Sequence, residues 1–167
     1  AELPLVSLPG QIVLAPDGRE LFACQPILGR VLRTRLADSS TSVVTTSAYS
    51  PWGLAYVPAL DRYLACDTSS RVLLLLDPAA GQERTVTSPF SGSPVGAAPL
   101  GNGTMALVLF AEGFLAELPL LGGEGRRIDP FLRDPWGLAV EPGADRALVC
   151  ERGRGRLVRV ELATGTV

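Results

Sequence analysis

The pentapeptide Pro51-Trp52-Gly53-Leu54-Ala55 returns as Pro135-Trp136-Gly137-Leu138-Ala139, 84 residues later. A repeat at a fixed period limits a fold more than any local propensity, because each unit must bury its apolar face against the next. The likeness runs on downstream to Cys66 and Cys150. Weaker copies start at Pro94 and Pro9, so the successive prolines stand 42, 43 and 41 residues apart. Four units, about 9–50, 51–93, 94–134 and 135–167, follow an eight-residue leading segment. At 167 residues the chain is long enough for one substantial core and short for two, so 1–167 reads as a single unit.

Each unit contains four short strand signals. Strand a is the apolar run after the proline, Gly53 to Val57 in the second copy. A Pro/Asp/Gly-type turn follows, such as Pro58-Ala59-Leu60-Asp61 or Pro142-Gly143-Ala144-Asp145. Strand b ends at the cysteine position (Arg62 to Cys66, Ala147 to Cys150), and a polar loop leads to strand c at Arg71 to Leu76, Phe114 to Leu118 and Arg156 to Leu162. Strand d comes after a glycine turn, as in Glu83 to Ser88. Strands of about five residues at a spacing near ten predict antiparallel β structure, and no sustained 3.6-residue period predicts a helix. Val72 to Leu76 is apolar throughout, which predicts burial on both faces. A unit of 40 to 45 residues with four strands is the signature of a β-propeller blade.

The order Pro51-Trp52-Gly53-Leu54-Ala55, Tyr63-Leu64-Ala65-Cys66-Asp67, Arg71-Val72 resembles the NHL-type β-propeller repeat. It recurs as Pro135-Trp136-Gly137-Leu138-Ala139, Ala147-Leu148-Val149-Cys150-Glu151, Arg156-Leu157, while copies one and three are degenerate. The resemblance implies an all-β propeller of four-stranded antiparallel blades, and it is almost silent on function. The last copy stops where its strand d should begin, and residues 1–8 sit where a strand d belongs. The expectation is a ring closed by that N-terminal strand, within one chain or between two, since closure removes open edges. A fragment of a larger propeller is the alternative.

Absences narrow the chemistry. All 15 basic residues are arginine and there is no histidine, which excludes Schiff-base, P-loop, Ser-His-Asp, Cys-His and His-ligated zinc mechanisms. A net charge of -2 gives no electrostatic footprint for nucleic acid, and no apolar run is long enough for a membrane helix. Cys24, Cys66 and Cys150 occupy one equivalent position, with Leu109 in the third copy. They are expected to be unpaired small hydrophobes packed against the next sheet. A first residue that is not Met fits either an exported chain without its leader or a trimmed one; the Ala-Glu-Leu start favours export, while unpaired buried thiols fit either compartment, so the localisation stays open.

Three groups of residues are candidates for function. Gln25, Asp67, Glu112 and Glu151 follow the cysteine position; the carboxylates of Asp67, Glu112 and Glu151 are candidate ligands for Ca²⁺, or else cap their own loops. Trp52 and Trp136 stand at loop-to-strand junctions, where they stack on a ligand or plug the space between blades. Arg152, Arg154 and Arg156 in a glycine-flanked loop suit capture of carboxylate or phosphate, or are solvated. Asn102-Gly103-Thr104 is both a glycosylation sequon and an ordinary hairpin turn. The leading expectation is a non-catalytic binding or scaffold propeller with a protein or small-ligand partner. The alternatives are a metal-dependent hydrolase or lyase of the gluconolactonase-like propeller type, and a structural unit for oligomeric assembly as a homodimer closing a larger ring. The enzyme alternative is weakened by the lack of histidine and the presence of a single asparagine.

Overall fold

The computed structural model describes residues 9–101, 105–141, 143 and 145–167. The chain forms four antiparallel sheets, one per repeat. The first comprises β1 (Ile12–Leu14), β2 (Glu20–Gln25), β3 (Arg30–Arg35) and β4 (Thr41–Thr45). The second comprises β5 (Pro51–Val57), β6 (Arg62–Asp67), β7 (Val72–Asp77) and β8 (Gln82–Val86). The third holds β9 (Pro94–Pro99), β10 (Met105–Phe110), β11 (Leu115–Pro119) and β12 (Arg126–Ile128). The fourth has, among the described residues, three strands, β13 (Pro135–Val140), β14 (Arg146–Glu151) and β15 (Arg156–Glu161). Among the described residues the only helical segments are three single 3₁₀ turns, at Pro26–Leu28, Pro58–Leu60 and Arg152–Arg154. None is long and apolar enough to cross a membrane.

The sheets pack face to face in chain order. Phe22, Cys24 and Val31 of the first meet Leu54, Ala65, Leu74 and Leu76 of the second. Leu64, Cys66, Leu73 and Leu75 on its other face meet Ala106, Val108 and Ala116 of the third. Leu107, Leu109 and Leu115 meet Ala147, Val149 and Val158 of the fourth. Successive side chains of a strand point to opposite faces, so β7 contributes two leucines to each neighbouring core. That is why its run is apolar throughout. Each leucine so buried contributes about 1.5–3 kcal/mol.

Register explains the cysteine position. Cys24 pairs with Val31, Cys66 with Leu73, Leu109 with Leu115, and Cys150 with Leu157. The first three pairs are at most 1% exposed, and burial pushes the Cys24 thiol up to about 12 and raises that of Cys66 as well. The expectation of packing against a next sheet fails for Cys150, which is exposed beside a Leu157 that is 62% exposed. Its face of the fourth sheet carries Leu148, Cys150 and Leu157 beside Arg159, and no described residue covers Cys150 and Leu157. The expected closing strand at residues 1–8, the Asn102-Gly103-Thr104 turn, and Pro142 and Ala144 of the fourth-unit turn lie outside the described residues.

Candidate functional site

The start of strand a is irregular in the same way in three sheets. Pro51 pairs with Asp67 and Gly53 with Cys66, so the intervening Trp52 is an extra residue. Trp136 is likewise extra between Pro135 and Gly137 against Glu151 and Cys150, and Val95 between Pro94 and Gly96 against Phe110 and Leu109. Proline at a strand start carries no ladder N–H, and a bulge re-aims the residue it inserts. The tryptophans of the second and fourth sheets therefore meet, ring centroids 5.1 Å apart and edge to face. In the first sheet the matching segment is Gly10-Gln11, whose Gln11 N–H donates to the Trp52 carbonyl at 2.8 Å.

Around this pair is an open cavity of about 370 Å³, lined also by Pro9, Gly10, Gln11, Val95, Gly137 and Leu138. Both rings are half-buried. Gln11 Oε1 accepts from the Leu54 N–H at 3.0 Å, which leaves the NH₂ end of the amide to donate elsewhere. Arg152 lies over the Trp136 ring, 4.6 Å from its centroid, and its guanidinium donates to both Asp134 oxygens at 2.8 and 3.1 Å. The cavity thus offers two aromatic walls, with a cation behind one of them and no carboxylate in its lining.

The carboxylates after strand b hold backbone. Asp67 accepts from the N–H groups of Tyr49 and Ser50 at 2.7 and 2.9 Å, and from the Ser70 hydroxyl. Glu112 accepts from the Ser93 N–H at 2.9 Å, and Glu151 from the Arg133 N–H at 2.6 Å. In return the N–H groups of Thr68, Ala111 and Arg152 donate to the carbonyls of Ser50, Ser93 and Asp134. Each clasp ties the segment arriving from the preceding sheet to the b–c turn of its own, just before a proline that has no N–H to give. Among the described residues no group of three or more Asp, Glu, Cys or His side chains is close enough to share a metal ion. Gln25, at the equivalent place in the first sheet, is buried; its Oε1 accepts from Arg30 at 2.7 Å, while its Nε2 has no partner among the described residues. The segment it would clasp, near residues 7 and 8, lies outside the described residues.

The arginine loop is paired internally. Arg154 and Arg156 each reach the buried Glu151 carboxylate at 2.5 Å, and Arg152 takes Asp134. Burial opposes ionisation of Glu151, but hydrogen bonds from Arg156 and the Arg133 N–H, with the charges of Arg154 and Arg156, outweigh it and hold the carboxyl below its usual range. Sequence reasoning missed Gln11, Val95 and Leu138 at the cavity, and Asp134 as the arginine's partner. Val95 was findable, since it stands at the tryptophan position of the third copy.

No protein-family model and no curated protein matches the chain. Solved structures do. The chain is similar to one from a nidogen/laminin complex, at TM-score 0.82 and 15% identity over 95% of this chain and 61% of that one. It is similar to a gluconolactonase of Xanthomonas campestris, at TM-score 0.81 and 19% identity over 96% of this chain and 60% of that one. Hydrazine synthase of Kuenenia stuttgartiensis gives TM-score 0.80 and 19% identity, covering all of this chain and 49% of that one. The chain thus spans less than two thirds of each. At such identities the likeness bears on architecture alone, and the architecture is the β-propeller.

Proposed function

We propose that the chain is a non-catalytic binding propeller whose ligand surface is the cavity between Trp52 and Trp136, and that its four units are divergent NHL-type blades. The observation that carries the binding reading is the convergence of two bulged tryptophans, backed by Arg152, on a cavity with no carboxylate in its lining. Two ring faces and an amide edge suit a small ring-shaped ligand, aromatic or sugar, held by stacking and one or two hydrogen bonds. The hydrolase or lyase alternative requires Asp67, Glu112 and Glu151 to leave their backbone donors for a Ca²⁺ ion, a cost that the binding reading does not carry.

The test exploits composition, because Trp52 and Trp136 are the only two tryptophans of the chain. Intrinsic fluorescence titrated with monosaccharides and small aromatic acids, with and without Ca²⁺, reports on this cavity alone. Saturable quenching is expected for at least one class, unaffected by Ca²⁺, with affinity about tenfold weaker in Trp136→Ala. Ca²⁺-dependent turnover of lactones by the same protein would overturn the reading.

A second role is supported by the uncovered stripe at Cys150 and Leu157. We propose that this stripe forms an interface with a second copy of the chain. Light scattering is then expected to give a two-chain mass, with Cys150 slow to react with a thiol reagent. Leu157→Asp should yield a one-chain mass and one fast thiol. A wild-type chain of single mass whose Cys150 reacts at once sinks the idea.

A further inference from the structure

A second cavity, of about 290 Å³, opens between the first two sheets, at the a–b and c–d turns. Its floor is aromatic. Phe22 and Tyr63 stack with centroids 4.0 Å apart, and Tyr56 leans on Tyr63 at 5.2 Å and an interplanar angle of 56°. Its rim is acidic, with Asp17, Glu20, Asp61 and Asp77 all in the lining. Two of the four are matched by arginines, Glu20 by Arg33 at 2.6 Å and Asp77 by Arg62 at 2.8 Å. The other two meet only neutral donors: Asp61 accepts from the Tyr56 hydroxyl at 2.9 Å, and Asp17 from the Arg19 backbone N–H at 3.0 Å. Four carboxylates against two guanidinium groups leave the rim negative.

Tyr63 is a second, independent pointer. It is 95% buried by its 5% exposure, lines the cavity, and its hydroxyl has no hydrogen-bond partner among the described residues. Burial first, then the neighbouring Tyr56 phenol and the carboxylates of Glu20, Asp61 and Asp17, push that hydroxyl up to about 12, so it stays a neutral donor and acceptor at physiological pH. A phenol oxygen open to the cavity, aromatic rings and surplus carboxylate charge share one complement. That complement is a cation with an apolar skin. A hard metal ion does not fit, because it needs several converging oxygens and the described residues hold no such group.

We infer that this cavity binds a small organic ammonium ion, with its alkyl surface against Tyr56 and Tyr63 and its charge facing Asp17 and Asp61. The site is separate from the tryptophan cavity and does not depend on the function proposed for it. Attraction of a cation to aromatic rings and to the nearby carboxylates adds to apolar contact, so charge itself must matter to affinity. The probe is choline, compared by calorimetry with its neutral isostere 3,3-dimethyl-1-butanol on the unaltered protein. The charged probe is expected to bind about tenfold more tightly than the neutral one. Asp17→Asn/Asp61→Asn, at exposed turn positions, should lose about the same factor for choline and little for the isostere, with an unchanged melting curve showing that it folds. Equal binding of the two probes, no binding of choline at about 20 mM, or full choline affinity in the double variant would each overturn the assignment.

Discussion

Gly113→Ala is expected to destabilise the protein by about 3–5 kcal/mol, lowering the melting temperature by roughly 10 °C. Gly113 has φ +93°, in the left-handed region that a side chain disfavours. A Cβ built there would overlap the carbonyl oxygen of Leu132, which is backbone and cannot swing aside. Moving it would break the hydrogen bond of 3.1 Å from the Leu132 N–H to the Gly113 carbonyl, which ties the b–c turn of the third sheet to the segment entering the fourth. The other b–c turns end in the same hand at Gly29, Arg71 and Gly155, with φ of +59°, +61° and +61°. Only the third turn is shortened to Phe110-Ala111-Glu112-Gly113-Phe114; Gly29 also combines a left-handed φ with a close backbone oxygen, that of Ala48, but the approach at Gly113 is the tighter of the two. Thermal denaturation checks this. A loss under 1 kcal/mol would mean that the turn relaxes into another register.

The repeat made most of the architecture legible, because its period, its turn residues and its strand-forming runs all agree. Strand boundaries expected from those signals fall within about two residues of the observed ones, for example Gly53 to Val57 against Pro51–Val57. The difference has a cause, since the bulge at Trp52 begins the strand two residues early. The bulge was invisible beforehand, and it is what turns two tryptophans at one repeat position into the two aromatic walls of a cavity. Burial of Cys24 and Cys66 followed from their shared position; exposure of Cys150 did not, because it depends on what stands beside the fourth sheet. The arginine loop shows the opposite limit. Glycine-flanked arginines read equally well as anion ligands and as partners for nearby acids, and only the fold brings Asp134, 18 residues away, onto Arg152. The acidic aromatic cavity was beyond reach for the same reason, since its residues come from separate turns of two sheets.

Asp67→Ala is expected to cost about 3–4 kcal/mol at neutral pH, and Asp67→Asn somewhat less. The Asp67 side chain is fully buried and is the acceptor for two consecutive backbone N–H groups, Tyr49 and Ser50, which arrive from the first sheet. Alanine leaves both donors and the Ser70 hydroxyl without their partner, and each orphaned donor costs about 1–3 kcal/mol where water cannot replace the lost acceptor. Burial works against the charge of Asp67. The bonds from the Ser70 hydroxyl and the Tyr49, Ser50 and Ser70 N–H groups outweigh that burial and hold its carboxyl below the usual range. A carboxyl depressed in the folded state gives stability that is complete above its unfolded value near pH 4 and is lost as pH falls through the folded value. The wild-type protein should therefore weaken below about pH 4. Asp67→Asn, already weaker at neutral pH, should show a flatter acid limb, which urea unfolding at pH 7, 4 and 3 will reveal. Parallel curves for the two proteins would show that the clasp does not depend on the charge. Glu151, depressed in the same way by its two arginines, keeps part of the acid limb in the variant, so the flattening is partial. A Ca²⁺ ion held by these carboxylates would add a stabilisation that chelator removes, whereas the clasp predicts identical unfolding curves with and without it.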